Sequence, residues 1–303
     1  MKTKSDSETT WGVVFGLLSA VCVAGYVITN KYIYTHYDIS SIEYSIVFAF
    51  AGGFYALLAL LYKIDKERID LFRQNLPDFT GLALATTLGV SGFTMGLRYT
   101  TAINASLLAT LTIVTTAFFS HLLVGEKHSK QQYIWITTLF LGLYLAIVGL
   151  HSIHFRKGDL IILSSMAFFG FGNAYSRLVM KRLGSAKLVP DARLVIGSVF
   201  ALIASVFFLR HFALIWSLLP FALLAGLFYW LCIRTFAQAV HRINANNAVV
   251  LNNVHIFITS FVGVLLLSER YSWEKFVGSV VAIVSIYFIA YKKRSAHRLT
   301  EVA

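Results

Sequence analysis

The chain is short of charge. Of its 303 residues, 13% are charged and only 14 are acidic, while 57% are hydrophobic. An ordinary soluble domain carries about a quarter charged residues, so a soluble enzyme and a disordered chain are both excluded. Cysteine is scarce too. Cys22 and Cys232 both lie in apolar runs, can build neither a disulfide framework nor a metal cluster, and read as small core residues. No H-E-x-x-H, no P-loop and no paired aspartates occur within the apolar runs. Intramembrane catalysis and ATP-driven pumping by this chain alone therefore lack their usual residues, and no cofactor or metal is expected. The net charge of +12 does not indicate a nucleic-acid partner, because it sits in short clusters between apolar stretches.

What the chain has is length of apolar run. A bilayer core takes about 20 such residues per helix. Runs of that size fall at about 11–30, 42–62, 79–98, 103–124, 133–150, 159–179, 190–209, 213–234, 245–267 and 273–291. They predict an all-α integral membrane protein with ten transmembrane helices. The first ten residues are polar, the first run continues past Val27, and no small-residue cleavage site follows, which predicts an uncleaved first span. The charged break 63–78 predicts an interfacial turn of helix. Pro77, Pro190 and Pro220 are placed at or near span starts, where a missing N–H costs nothing.

With the N-terminus inside, the outer segments hold Lys31, Arg98, Arg156, Lys157, Arg210, Arg270 and Lys275, and the remaining 19 of the 26 lysines and arginines fall inside or at inner span ends. That bias predicts both termini in the cytoplasm and basic loops facing anionic lipid.

The chain also repeats itself. Ala102–Ser129 overlies Ala245–Ser272 with the pairs Asn104/Asn247, Ala105/Ala248, Thr116/Thr259, Glu126/Glu269 and Ser129/Ser272 among its identities. The fourth span then matches the ninth, and each half has five spans, 11–150 and 158–291. Five is odd, so the halves enter the membrane in opposite senses. Inverted repeats of this kind are built around a midplane solute site in secondary transporters; duplication without transport is the competing account.

Two spans end in Gly125-Glu126-Lys127-His128-Ser129 and Ser268-Glu269-Arg270-Tyr271-Ser272. With Ala24-Gly25-Tyr26, Asn30-Lys31, Gly158-Asp159-Leu160 and Gly170/Asn173/Arg177, these turns resemble the EamA-like branch of the drug/metabolite transporter superfamily. The resemblance covers about residues 11–291. It implies two five-helix repeats, a small-molecule substrate, and most often export of amino acids, drugs or other metabolites. That family often has proline thirteen residues before each turn glutamate. Here Ile113 and Ile256 stand at those positions, which predicts fourth and ninth helices without the family's kink.

In the ninth span, Ala248, Asn252, His255, Thr259 and Gly263 share one helical face, which the repeat maps onto Ala105, Ala109, Thr112, Thr116 and Ser120. Small residues suit tight helix packing. Asn252 and His255 are costly to bury without partners or water and suit a cavity wall. Both readings stand at this point. The candidate substrate pathway is Thr112, Thr116, Asn173, Tyr229, Trp230, Asn252, His255 and Thr259. Aromatic walls with few polar anchors fit a small amphipathic solute, and no buried fixed charge is expected. His255 and Glu43 are the candidates for proton coupling or a gate. Glu126 and Glu269 are expected to pair with Lys127 or Arg270, or to accept backbone N–H groups in their turns. The function expected is secondary transport, by export, across the cytoplasmic membrane, with a proton gradient as the candidate driving force. Uptake or facilitated diffusion, a non-transporting protein and a membrane enzyme are the alternatives.

Overall fold

The structure is a computed structural model and describes residues 6–62, 66–125, 129–147, 156–183, 188–243 and 245–300. Glu126, Lys127 and His128 lie outside the described residues. The described residues form helices and no strand. In chain order these are α1 (Asp6–His36), α2 (Ser41–Tyr62), α3 (Lys66–Gln74), α4 (Leu76–Arg98), α5 (Ala102–Ala109), α6 (Thr112–Val124), α7 (Lys130–Ile147), α8 (Lys157–Leu183), α9 (Leu188–Phe208), α10 (Phe212–Ile243), α11 (Ala245–Asn252), α12 (His255–Leu267) and α13 (Trp273–Thr300). Among the described residues, seven helical stretches are long and apolar enough to cross a membrane; α7, α8 and α13 are not among them. Phe118, Leu122, Val206, Phe207, Leu265 and Leu266 lie on the surface, as expected where lipid and not water is the solvent. The protein is an all-α, multi-pass membrane protein.

The break at 63–78 carries α3, a short polar helix. Pro77 sits in the first turn of α4. Pro220 does not open a span: α10 begins at Phe212 and Pro220 lies inside it. The apolar run understated α10 because its last turns, through Arg234 and Arg242, are polar and still helical.

The fourth and ninth spans are broken, contrary to the expectation from Ile113 and Ile256. The first splits at Thr110–Leu111 into α5 and α6, the second at Asn253–Val254 into α11 and α12. Both breaks are tight turns. Leu111 and Val254 donate their N–H groups to Leu108 and Leu251, three residues back. Polar side chains do the work of proline by bonding nearby carbonyls: Thr110 Oγ1 to Leu107 O and Thr112 Oγ1 to Ala109 O at 2.7 Å, Asn253 Nδ2 to Val249 O at 2.8 Å, and His255 Nδ1 with Asn252 O at 2.9 Å.

Several helix contacts come in pairs. The α1–α10 contact has its counterpart in α8–α4, α6–α8 in α12–α1, and α2–α10 in α9–α4; α2 packs on α9 and α7 on α13. Backbones approach closely where α7 meets α13. A Cβ added to Gly278 would lie 2.4 Å from the carbonyl oxygen of Gly142.

Candidate functional site

At one end of the bundle, charged side chains from three helices and from the loop after α12 converge on the turn between α4 and α5. Lys31 Nζ, from α1, donates to Leu97 O at 3.0 Å and Thr100 O at 2.5 Å, meeting the free carbonyls at the end of α4. Glu269, following α12, accepts the N–H groups of Ala102 at 2.6 Å and Ile103 at 3.0 Å, which are orphan donors of the first turn of α5. Cation meets helix C-terminus and anion meets helix N-terminus, as the macrodipole favours. Asp159, opening α8, accepts from Thr100 Oγ1 and from Arg156 N at 3.0 Å, and Lys275 Nζ donates to Asn104 Oδ1 at 3.1 Å. At the same end, buried Glu43 accepts from the N–H groups of Arg210 at 2.7 Å and His211 at 3.1 Å, and its other oxygen lies 3.1 Å from the His211 ring.

Glu269 therefore bonds backbone N–H groups, though not in its own turn. The partners belong to a helix start more than 160 residues away. Asn30, also buried here, accepts from Tyr44 Oη at 2.6 Å.

A cavity of about 630 Å³ lies between the helices of the two halves. None of Lys31, Glu43, Thr100, Asp159 or Glu269 lines it. Its lining runs the other way, to Gln132 near the start of α7, Met180 near the end of α8, Pro190 near the start of α9 and Val240 near the end of α10. These helix ends lie opposite the clamp, because α8 runs from Lys157 and Asp159 at the clamp toward Leu183 at the far end.

Six of the eight residues singled out from sequence line this cavity: Thr112, Thr116, Asn173, Tyr229, Asn252 and His255. Thr112 Oγ1 also faces the Met166 sulfur at 3.1 Å. Asn252 Oδ1 accepts from Ser19 Oγ at 2.7 Å, tying α11 to α1. The ring of Tyr229 meets that of Tyr26 edge-on at 5.6 Å and that of Phe48 at 5.5 Å. His255 is buried, with its Nδ1 held by Asn252 O.

Trp230 and Thr259 lie outside the cavity. Trp230 is turned by about 100° from Tyr229 on the same helix; its Nε1 donates to Asp191 Oδ1 at 3.2 Å and the Arg234 guanidinium lies 5.1 Å from its ring. Thr259 is fully buried with an unpaired hydroxyl.

The expectation of a cavity without fixed charge is overturned. Arg177 on α8 and Arg193 on α9 both line it. The lysine and arginine bias counts Arg193 with the inner span ends; the signal that sets it apart is that it stands inside the apolar run 190–209. Among the described residues, no group of three or more His, Cys, Asp or Glu is placed to hold a metal ion.

A helical membrane bundle with a solute-sized internal cavity, closed at one end by charged clamps, defines the class of membrane transporters. The EamA-like transporter family matches residues 10–148 and again 156–291. The chain belongs to that family, within the drug/metabolite transporter superfamily. A curated relative, the uncharacterized transporter YyaM of Bacillus subtilis (strain 168), is 25% identical over 167 residues, 52% of this chain and 54% of that protein. The match spans about half the length of the relative. One crystal structure superposes with a TM-score of 0.63 at 13% identity, covering 95% of this chain and 98% of that one, which is a likeness of fold. Family and relative point to a transporter of a small molecule, not to an enzyme.

Proposed function

We propose that the chain is a secondary transporter that exports a small organic solute, an amino acid or related metabolite, across the cytoplasmic membrane. It works by alternating access between two inverted five-helix repeats, 11–150 and 158–291, that make ten spans in all, with both termini in the cytoplasm. The observation that carries this reading is the pairing of a cavity of about 630 Å³ with a polar clamp at one end of the bundle. Support for two equivalent halves comes from the paired helix contacts and from breaks at Thr110–Leu111 and Asn253–Val254, which correspond under the sequence repeat. With the basic loops inside, the clamp is the outer gate and the cavity faces the cytoplasm, ready to load a solute for export.

His255 is the titratable group proposed to couple proton entry to export, since histidine changes charge near physiological pH. Glu43 is the weaker candidate, because its oxygens already serve the Arg210 and His211 N–H groups outside the cavity. Uptake of labelled amino acids and related metabolites into inverted vesicles tests the proposal. Saturable accumulation that depends on the protein is expected, and its absence for every candidate refutes transport. His255→Gln is expected to lose accumulation driven by a pH gradient while keeping counterflow exchange. If gradient-driven accumulation survives, the proton is not coupled through His255.

A further inference from the structure

Arg193 is the cavity group for which the fold itself gives no account. It stands five residues into α9, and Arg177 stands six residues before the end of α8. At 1.5 Å per residue both lie roughly 8 Å in from the facing helix ends, at similar depth. Neither guanidinium makes a hydrogen bond or an ion pair with the described residues, and the Nε of Arg193 is buried without a partner. Asp191 attracts Arg193 electrostatically, but its oxygens accept from Trp230 and face Arg234 at 3.7 Å. No aspartate or glutamate lines the cavity among the described residues. Arg98 and Arg182, by contrast, are ion-paired with Asp38 and Asp78.

A guanidinium stays protonated and presents five N–H donors in a planar fork that matches carboxylate and phosphate oxygens. Two of them with no carboxylate on the same lining make the cavity electropositive, which repels cations and leaves donors in need of an anion. Tyr26, Phe93, Phe169 and Tyr229, with Met166 and Ile136, line the same cavity, an apolar wall suited to an organic body.

We propose that the cavity selects amphipathic organic anions, carboxylates or phosphomonoesters on an apolar or aromatic body, with Arg193 holding the acidic group and Arg177 adding positive field on the path. This rests on the transport reading and shifts its substrate class from zwitterionic amino acids to metabolites of net negative charge.

The charge of the cavity is testable without knowing the solute. Ala237 lines it, half-buried and six residues before the end of α10. In protein lacking Cys22 and Cys232, Ala237→Cys supplies a reporter thiol there. Its reaction with anionic methanethiosulfonate ethylsulfonate and with cationic methanethiosulfonate ethyltrimethylammonium is compared with that of a free thiol, on purified full-length protein. The anionic reagent is expected to be favoured by about tenfold relative to the free thiol. Arg193→Gln should bring that ratio most of the way to one, and Arg193→Lys, which keeps the charge, should retain it. Equal rates, a cation preference, or an anion preference that Arg193→Gln leaves unchanged overturns the proposal. In vesicles, phenylacetate and phenyl phosphate should compete for transport, while phenethylamine and benzyl alcohol, with similar bodies, should not; the two anions separate carboxylate from phosphate preference. Preferred movement of the amine or the alcohol sinks the charge assignment and leaves transport standing. An anion-selective cavity in a protein that moves no solute refutes the transport reading and leaves the charge assignment.

Discussion

Glu269 and Lys31 act on backbone, Glu269 at the start of α5 and Lys31 at the end of α4. The Glu269 carboxylate holds two N–H groups of α5, which sit against an apolar core of fully buried Ala102 and Ile103. Without it those donors face a site that cannot rehydrate them fully. Glu269→Ala is expected to cost about 2 kcal/mol, the upper range for a lost helix cap, read as a lower thermal unfolding midpoint in detergent. Glu269→Gln keeps one acceptor and should lose roughly half as much. An unchanged midpoint in the alanine variant would show that the carboxylate is not holding α5. The motif around Glu269 was legible in sequence, and so was its readiness to accept backbone hydrogens. Its partner was not, because Ala102 and Glu269 are 167 positions apart and only the fold joins them.

Among the elements, α12 ends on Ser268 with φ +53°, where α6 ends on Gly125 with φ +72°. Only glycine enters this left-handed region without a Cβ penalty. Ser268→Gly is therefore expected to stabilise the protein by about 0.5–1 kcal/mol after the added freedom of the unfolded chain is subtracted. A lower unfolding midpoint would contradict this. The helix breaks give a second expectation. Ile113 lies in the first turn of α6, one residue after Thr112, and Ile256 holds the matching place in α12. Proline is compatible with a first turn and not with a helix interior. Ile113→Pro should cost no more than about 1 kcal/mol, although the Ile113 N–H bond to Thr110 O is lost. Phe118→Pro, in the middle of α6, should cost about 3 kcal/mol. Similar losses from both substitutions would mean that the break does not relax the start of α6. The absence of proline at positions 113 and 256 suggested continuous helices, since the usual cause of a kink was missing there. Threonine, asparagine and histidine bonds to carbonyls broke them instead, and such bonds depend on rotamers that composition does not specify.

For the molecule as a whole, the inverted reading has a sharp consequence. The α5–α6 segment runs about 33 Å from the Ala102 end, where Glu269 sits, to Gly125. That is the thickness of a bilayer core. Ser129 and Ser272 are both exposed and stand beyond opposite ends of the bundle. Single-cysteine variants at these positions, in protein lacking Cys22 and Cys232, are expected to react with a membrane-impermeant reagent from opposite sides, Ser129→Cys from the cytoplasm. Reaction of both from one side would end the inverted-repeat reading.

Sequence by itself determined the solvent, the class of fold and the family. Those rest on apolar run length and on short turn motifs, which are local properties and survive without knowledge of neighbours. It also picked out six residues of the cavity wall, because a polar side chain within an apolar run stands out against its surroundings. Tertiary structure alone decided which face of each helix meets the cavity, and so kept Tyr229 on its wall and turned Trp230 to Asp191. It alone joined Lys31, Glu269, Asp159 and Lys275 around one turn. It also set Arg193, counted from sequence with the inner span ends, on the cavity wall. The physical reason is the same in each case. Burial of a helix face and pairing of a charge are set by what packs opposite, and in this chain the opposite partner usually belongs to the other half.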